Sequence, residues 1–326
     1  MTTAGRRSLH VLASVVVIVL LVLFARHVDW RAAAGATRGA DARLLLLALA
    51  CNQLSLVLKG VRWWVFLRPL GVHSLRLVLR ATYAGASLNN LVVAQGGEAA
   101  RILIVSRASG VAGARVASAL ALERVLDGIS YLTLLGGATL LLDLPDVLMR
   151  WRTAVLGALA IALLALAFLG ASSGSGTTIA AAAPSTRRVR SRLFHFASSI
   201  AAIASPSRLG SAMLLSLAAW SLQVMTYHTI ALAAHLHVSL GASVAAMLAI
   251  GISFLIRATP GNVGVFQVIY AMTMSGFGVP RPVAVAAALL IQLVQVIPTV
   301  VIGTFVGYGF AGDARRTSKT RRPLVE

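Results

Sequence analysis

Hydrophobic runs of about 20 residues recur along the whole 326-residue chain. That is the length a helix needs to cross a ~30 Å hydrocarbon layer. Hydrophobic residues make up 58% and charged residues only 12%, against about 25% charged in soluble domains. A soluble domain of this length could not bury so much apolar sequence, so the excess is expected to face lipid. The reading is an all-α membrane protein of the inner-membrane type, a polytopic bundle of about seven to nine transmembrane helices. Mean hydropathy is +0.87.

Spans are expected at about 9–25, 43–58, 77–94, 116–142, 153–170, 209–235, 242–258 and 283–310. The first, after Arg6 and Arg7, is read as a retained helix and not a signal peptide, because Ala25-Arg26-His27 offers no small-x-small cleavage site. Two further segments, 96–107 and 261–277, are too short or too glycine-rich for ordinary spans. A Ser/Gly/Ala-rich stretch at 171–186 is a flexible linker by composition. It separates a first half (1–170) from a second (209–310), and the tail 311–326 is basic. Residues 187–204 read either as a basic amphipathic surface helix or as a disordered basic loop.

Basic residues number 29 against nine acids, a formal charge of +20. They lie mostly in short gaps between apolar runs, which fits the positive-inside rule and anionic headgroups. Nucleic acid is not expected, since no basic–aromatic recognition stripe is present. The stretch 171–208 and the tail after Phe310 should be cytoplasmic. The links 143–152, with Asp143 and Asp146, and 235–241, without Lys or Arg, suit the outside. The loop 26–43, with four arginines, sits awkwardly with an inside N-terminus.

Each half carries one polar, glycine-bearing interruption. The first runs from Asn89-Asn90 through Gly96-Gly97-Glu98 to Arg101. The second runs from Arg257 through Pro260-Gly261-Asn262 and Gly264 to Gln267. Paired interruptions in two halves point to a transporter binding site, and possible inverted-repeat halves. Gly96-Gly97 and Pro260-Gly261 should break their helices. The freed N–H groups at the start of each next half-helix attract anions such as a phosphate headgroup. The plainer alternative is that these glycines only permit close helix packing, which is the reading adopted for Gly136-Gly137.

Three of the nine acids, Glu98, Glu123 and Asp127, cluster in one region. An ionised group at the bilayer centre costs at least ~2.5–3.5 kcal/mol. Glu123 and Asp127 share a helix face. Arg124 with Asp127, and Glu98 with Arg101, are i, i+3 pairs. A cross-helix network of these groups would line a headgroup groove or carry protons; the alternative is a salt-bridge lattice at the cytoplasmic edge. Gln223, Tyr227, His228, Gln292 and Gln295 read as interhelical hydrogen-bonding groups. Trp63 and Trp64 beside Arg62 and Arg68 read as an interfacial belt with snorkelling arginines. The single Cys51 excludes an intrachain disulfide. No nucleotide-binding loop, hydrolase elbow, metal cluster or haem motif is present, so no catalytic role and no cofactor are expected.

These motifs resemble the flippase-like family that includes the transmembrane region of lysylphosphatidylglycerol synthase. The matching pieces are Asn89-Asn90 with Gly96-Gly97-Glu98-Ala-Ala-Arg101, then Ala121-Leu122-Glu123-Arg124-Val125-Leu126-Asp127, then Thr259-Pro260-Gly261-Asn262-Val263-Gly264-Val265-Phe266-Gln267. The resemblance implies broken or re-entrant helices and movement of lipids between leaflets, without the synthase domain. The chain departs from the pattern twice. Leu91 to Gln95 contain no proline, and Gln267 stands where an acid is usual, which argues against a proton or cation role there. The expected function is a lipid translocase for an anionic or aminoacylated headgroup. Arg101, Arg124 and Arg257 would hold that headgroup, balanced by the three acids. The rivals are a subunit presenting lipid or polyprenyl-linked substrate to a separate lipid-modifying enzyme, a proton-coupled small-solute transporter, and a scaffold without a cavity.

Overall fold

The computed structural model describes residues 39–91, 96–142, 149–172, 202–253 and 262–320, with 31, 144, 199 and 200, and side chains as far as 306. The expected span 9–25, the linker, most of the basic segment 187–204, Asp143, Asp146, Arg257, Pro260 and Gly261 lie outside the described residues. Nine α-helices and one short 3-10 turn, and no strand, occur among the described residues. They are α1 (Ala42–Leu67), α2 (Leu75–Leu91), α3 (Gly96–Ser109), α4 (Gly113–Leu141), α5 (Arg152–Ser172), α6 (Pro206–Ala233), α7 (Leu240–Ser253), α8 (Val265–Ser275) and α9 (Arg281–Thr320).

Four of the described helical segments are long and apolar enough to cross a membrane: Ala42–Leu70, Arg152–Ala171, Pro206–Ala233 and Arg281–Val306. α4 has the length, with 29 residues, but carries Glu123, Arg124 and Asp127 in its middle. The interrupted segments form short helices. α3 has 14 residues and α8 has 11, or about 21 Å and 16 Å at 1.5 Å per residue, so neither crosses the hydrocarbon layer alone.

The most extensive contact is between α1 and α6. Asp41 N–H donates to Ala233 O at 3.1 Å, Ser55 Oγ to Ala219 O at 2.8 Å and Arg62 Nη1 to Ser216 Oγ at 2.5 Å. Residue numbers rise on one helix as they fall on the other, so the pair is antiparallel. The remaining pairings correspond across it. α2 meets α3 as α7 meets α8; α3 meets α4 as α8 meets α9; α2 crosses onto α9 as α7 crosses onto α4. α1 likewise touches α2, α4 and α9 where α6 touches α7, α9 and α4. A two-fold axis exchanging two antiparallel helices must lie perpendicular to them. The halves therefore have inverted topology, with α5 outside the correspondence.

Two apolar clusters fill the bundle. One joins Trp63, Phe66, Val78, Leu122, Leu126 and Leu209. The other joins Tyr227, Met247, Ile250, Phe266, Tyr270 and Ile291. By contrast α5 turns Ile161, Leu164 and Phe168 outward, each at least 70% exposed. Such an apolar face belongs against lipid. On α4, Gly136 meets Leu156 of α5 while Gly137 has open space beside it, so close packing accounts for the first glycine only.

At the α2–α3 crossing the backbones approach through glycine. A Cβ on Gly97 would sit 2.6 Å from Asn89 Oδ1 and overlap the Gly85 carbonyl, whereas a Cβ on Gly96 meets nothing within 4 Å. Gly97→Ala is therefore expected to destabilise the folded protein by about 1–3 kcal/mol through overpacking. Gly96→Ala is expected to be neutral or slightly stabilising through its better helix propensity. Thermal unfolding of both variants in detergent tests this, and equal effects would contradict the assigned crossing.

Candidate functional site

α4 places Glu123 and Asp127 one helical turn apart on its inward face, and Arg124 and Val125 on its outward face. The inward carboxylates are met from three other helices. Arg101 of α3 grips Glu123 with both terminal nitrogens, at 3.2 and 3.0 Å. Arg62 of α1 reaches Glu123 at 3.2 Å and Asp127 at 2.7 Å. Trp220 of α6 donates its indole N–H to Asp127 at 2.9 Å. Arg62 is fully buried, and Glu123 and Arg101 are 3% and 6% exposed. A planar guanidinium matched to a carboxylate is the geometry that best repays the desolvation of both.

The outer shell is less enclosed. Arg124 pairs with Glu98, on the first turn of α3, and lies 3.4 Å from Asp127. Its side chain is half-exposed. Glu98 and Arg101 do not pair with each other as their spacing predicts. Each turns instead to α4, because consecutive turns of α3 face two different residues there. The burial of Arg62 and Glu123 also sets this network apart from a solvated lattice at the membrane edge.

The belt reading of Trp63 and Arg62 is corrected. Both are fully buried, Arg62 in the ion-pair network and Trp63 beneath the Arg101 guanidinium, 4.1 Å from the ring centroid. Trp64 and Arg68 do stack at the end of α1 (5.4 Å). Lys59, Ser216 and Trp220 were not singled out from the sequence. Lys59 Nζ lies 3.8 Å over the Trp220 ring, a cation–π contact. A signal existed: Asn52, Ser55, Lys59 and Arg62 recur at helical spacing through an otherwise apolar run, and that stripe faces α6.

The two half-helix starts differ from the expectation of open N–H groups. Gly97 N–H donates to Asn89 Oδ1 at 3.0 Å. Gly264 N–H donates to Gln267 Oε1 at 2.6 Å, and Gln267 Nε2 donates to Gln292 Oε1 of α9 at 2.5 Å. Each of these N–H groups is thus satisfied by an amide of the chain itself. Gly264 has φ of 87°, a turn that favours glycine. Asn90, half-buried beside Asn89, stands apart from the ion pairs. Under the inverted correspondence, the Gln267–Gln292 hydrogen bond joins α8 to α9 where the Arg101–Glu123 pair joins α3 to α4. His228 packs against Ser243, with 3.1 Å between Nδ1 and Oγ.

An apolar groove of about 740 Å³ opens laterally between α4 and α5. Gly128, Tyr131, Leu132, Leu166 and Phe168 line it, and Arg124 is the charged residue on its wall. Tyr131 meets Trp220 edge-on at 4.5 Å, so the groove wall is continuous with the ion-pair network. No group of side chains that could hold a metal ion occurs among the described residues.

Arg62→Met strips a fully buried partner from two carboxylates and is expected to destabilise by about 3–5 kcal/mol. Arg124→Ala removes a half-exposed pair and is expected to cost no more than ~1 kcal/mol. Unfolding in detergent distinguishes them; a reversed order would overturn the assignment of inner and outer shells.

The sequence profile described as the lysylphosphatidylglycerol synthase TM region matches residues 11–303. The UPF0104 membrane protein PH1989 of Pyrococcus horikoshii is 24% identical over 295 residues, covering 82% of this chain and 87% of that protein. With the match spanning both interruptions and every helix of the ion-pair network, the chain belongs to the family of the lysylphosphatidylglycerol synthase transmembrane region.

Proposed function

We propose that this protein moves a phospholipid, or a related lipid with an anionic headgroup, between the leaflets of the cell membrane. The observation that carries this reading is the position of Arg124. It is the one half-exposed cation of a buried charge network, and it stands on the wall of an apolar groove open to the side. A headgroup phosphate would take the place of Glu98 on Arg124. One acyl chain would lie between α4 and α5, where each buried CH₂ contributes about 0.8 kcal/mol, and the other would stay in the bilayer.

Inverted halves supply the second requirement. Two similar units packed about an axis in the membrane plane can rock so that a central site faces each side in turn. Among the described helices, α5 makes its main contacts with α4 and α6. The ends of α1 and α3 and the starts of α4 and α6 bear Arg68, Arg107, Arg115 and Arg208, and with the basic linker and tail we assign this side to the cytoplasm. The family's link to a lipid synthase also supports a second reading, in which the same groove presents lipid to a separate lipid-modifying enzyme.

Purified protein in liposomes should accelerate the transfer of fluorescent phospholipids between leaflets. Arg124→Ala should slow it about tenfold, the equivalent of 1.4 kcal/mol at the headgroup contact, while leaving the fold intact. No acceleration by folded wild-type protein would sink the translocase reading and favour lipid presentation.

A further inference from the structure

Among the described residues, the cluster holds four cations, Lys59, Arg62, Arg101 and Arg124, against three carboxylates, Glu98, Glu123 and Asp127. All three carboxylates are engaged by arginine. Lys59 has none of them; its contact is the face of Trp220. The imbalance extends to hydrogen bonding. Arg62 Nε, Arg101 Nε and the Trp63 indole nitrogen are buried donors without an acceptor. Buried donors without acceptors are rare in folded proteins and call for an explanation. These donors lie behind the groove, whose charged lining residue is Arg124, and a cluster with surplus positive charge at its back favours a ligand of negative charge in that groove.

We propose that the network selects a lipid whose headgroup carries one net negative charge, a phosphodiester without a balancing amine, and that Lys59 is the residue that selects it. This rests on the lipid-binding reading of the groove and narrows its substrate class. Lys59 lies behind the groove wall, one aromatic ring away: its ammonium covers Trp220, and Trp220 meets Tyr131, which lines the groove. A zwitterionic headgroup brings no net charge and leaves the surplus standing. An aminoacylated headgroup adds an ammonium to a site whose carboxylates are all occupied. An anionic phosphodiester on Arg124 offsets the surplus charge across that wall.

The experiment compares retention of phosphatidylglycerol, phosphatidylethanolamine and aminoacylated phosphatidylglycerol on purified protein, by native mass spectrometry after delipidation, alongside transfer of the same lipids in liposomes. Wild type should retain phosphatidylglycerol at least tenfold over the other two. Lys59→Met should abolish the preference and Lys59→Arg should keep it, with unfolding temperatures confirming that both variants are folded. Equal retention by wild type, or an undiminished preference in a folded Lys59→Met protein, overturns the proposal. Should Lys59→Met fail to fold, Lys59→Gln is read in its place, and an undiminished preference in that folded variant overturns the proposal. Transfer of all three lipids at equal rates would defeat charge selection and leave translocation standing. Selective retention without transfer would do the reverse.

Discussion

Two carboxylates on one turn of α4 lie deep in a bundle whose surroundings are hydrocarbon. Left alone, Glu123 and Asp127 would have to give up their charge or drag water inward. Arg101 and Arg62 give both a positive partner, and because those arginines come from α3 and α1, the same contacts tie three helices together. Trp220 brings in α6 through its hydrogen bond to Asp127. Lipid offers no hydrophobic incentive for one apolar helix to choose another. Directional charge pairs therefore do what burial of apolar area does in water: they specify which helices meet and how each is rotated.

Close approach is the second constraint, and glycine meets it. Gly97 lets α3 sit against Gly85 of α2, Gly303 lets α9 sit against Tyr83 and Ser87 of α2, and Gly251 admits the Tyr131 ring. The last two contacts bring polar groups of one half against backbone of the other. Ser87 Oγ donates to Thr299 O at 2.7 Å. The halves are thus interleaved: α2 packs on α9 and α4 on α7. That arrangement keeps a two-fold bundle together while allowing its short members, α3 and α8, to differ in chemistry.

The difference between those short members is informative. In the first half the joint between half-helix and long helix is an ion pair; in the second it is a pair of amides, Gln267 and Gln292. Both hold equivalent elements, but only the first creates a field. The charged joint also adjoins the α4–α5 groove, through Arg124 and the Tyr131–Trp220 contact.

Much of the fold was legible in the sequence. Runs such as 153–170 and 209–235 match α5 and α6 within a few residues, because the length of a membrane helix is set by hydrocarbon thickness and read directly from hydropathy. The short segments expected at 96–107 and 261–277 were legible too, as α3 and α8, since glycine marks a helix start locally. The cluster of Glu98, Arg101, Glu123, Arg124 and Asp127 could be named from the scarcity of acids alone. Its pairings could not. Spacing along one helix predicts Glu98 with Arg101, yet across the bundle Glu98 takes Arg124 and Arg101 takes Glu123, because the nearest charge in space depends on the rotation of separate helices about their axes. The same holds for Arg62 and Trp63, whose position near the end of an apolar run is that of interfacial residues until α4 and α6 close over them. Sequence by itself determined that membrane-length helices form and roughly where they lie, though α1, expected to end near 58, runs on to Leu67 because its polar end is buried against α4 and α6; only tertiary packing decided which charges are balanced, and so which one, Lys59, is left over.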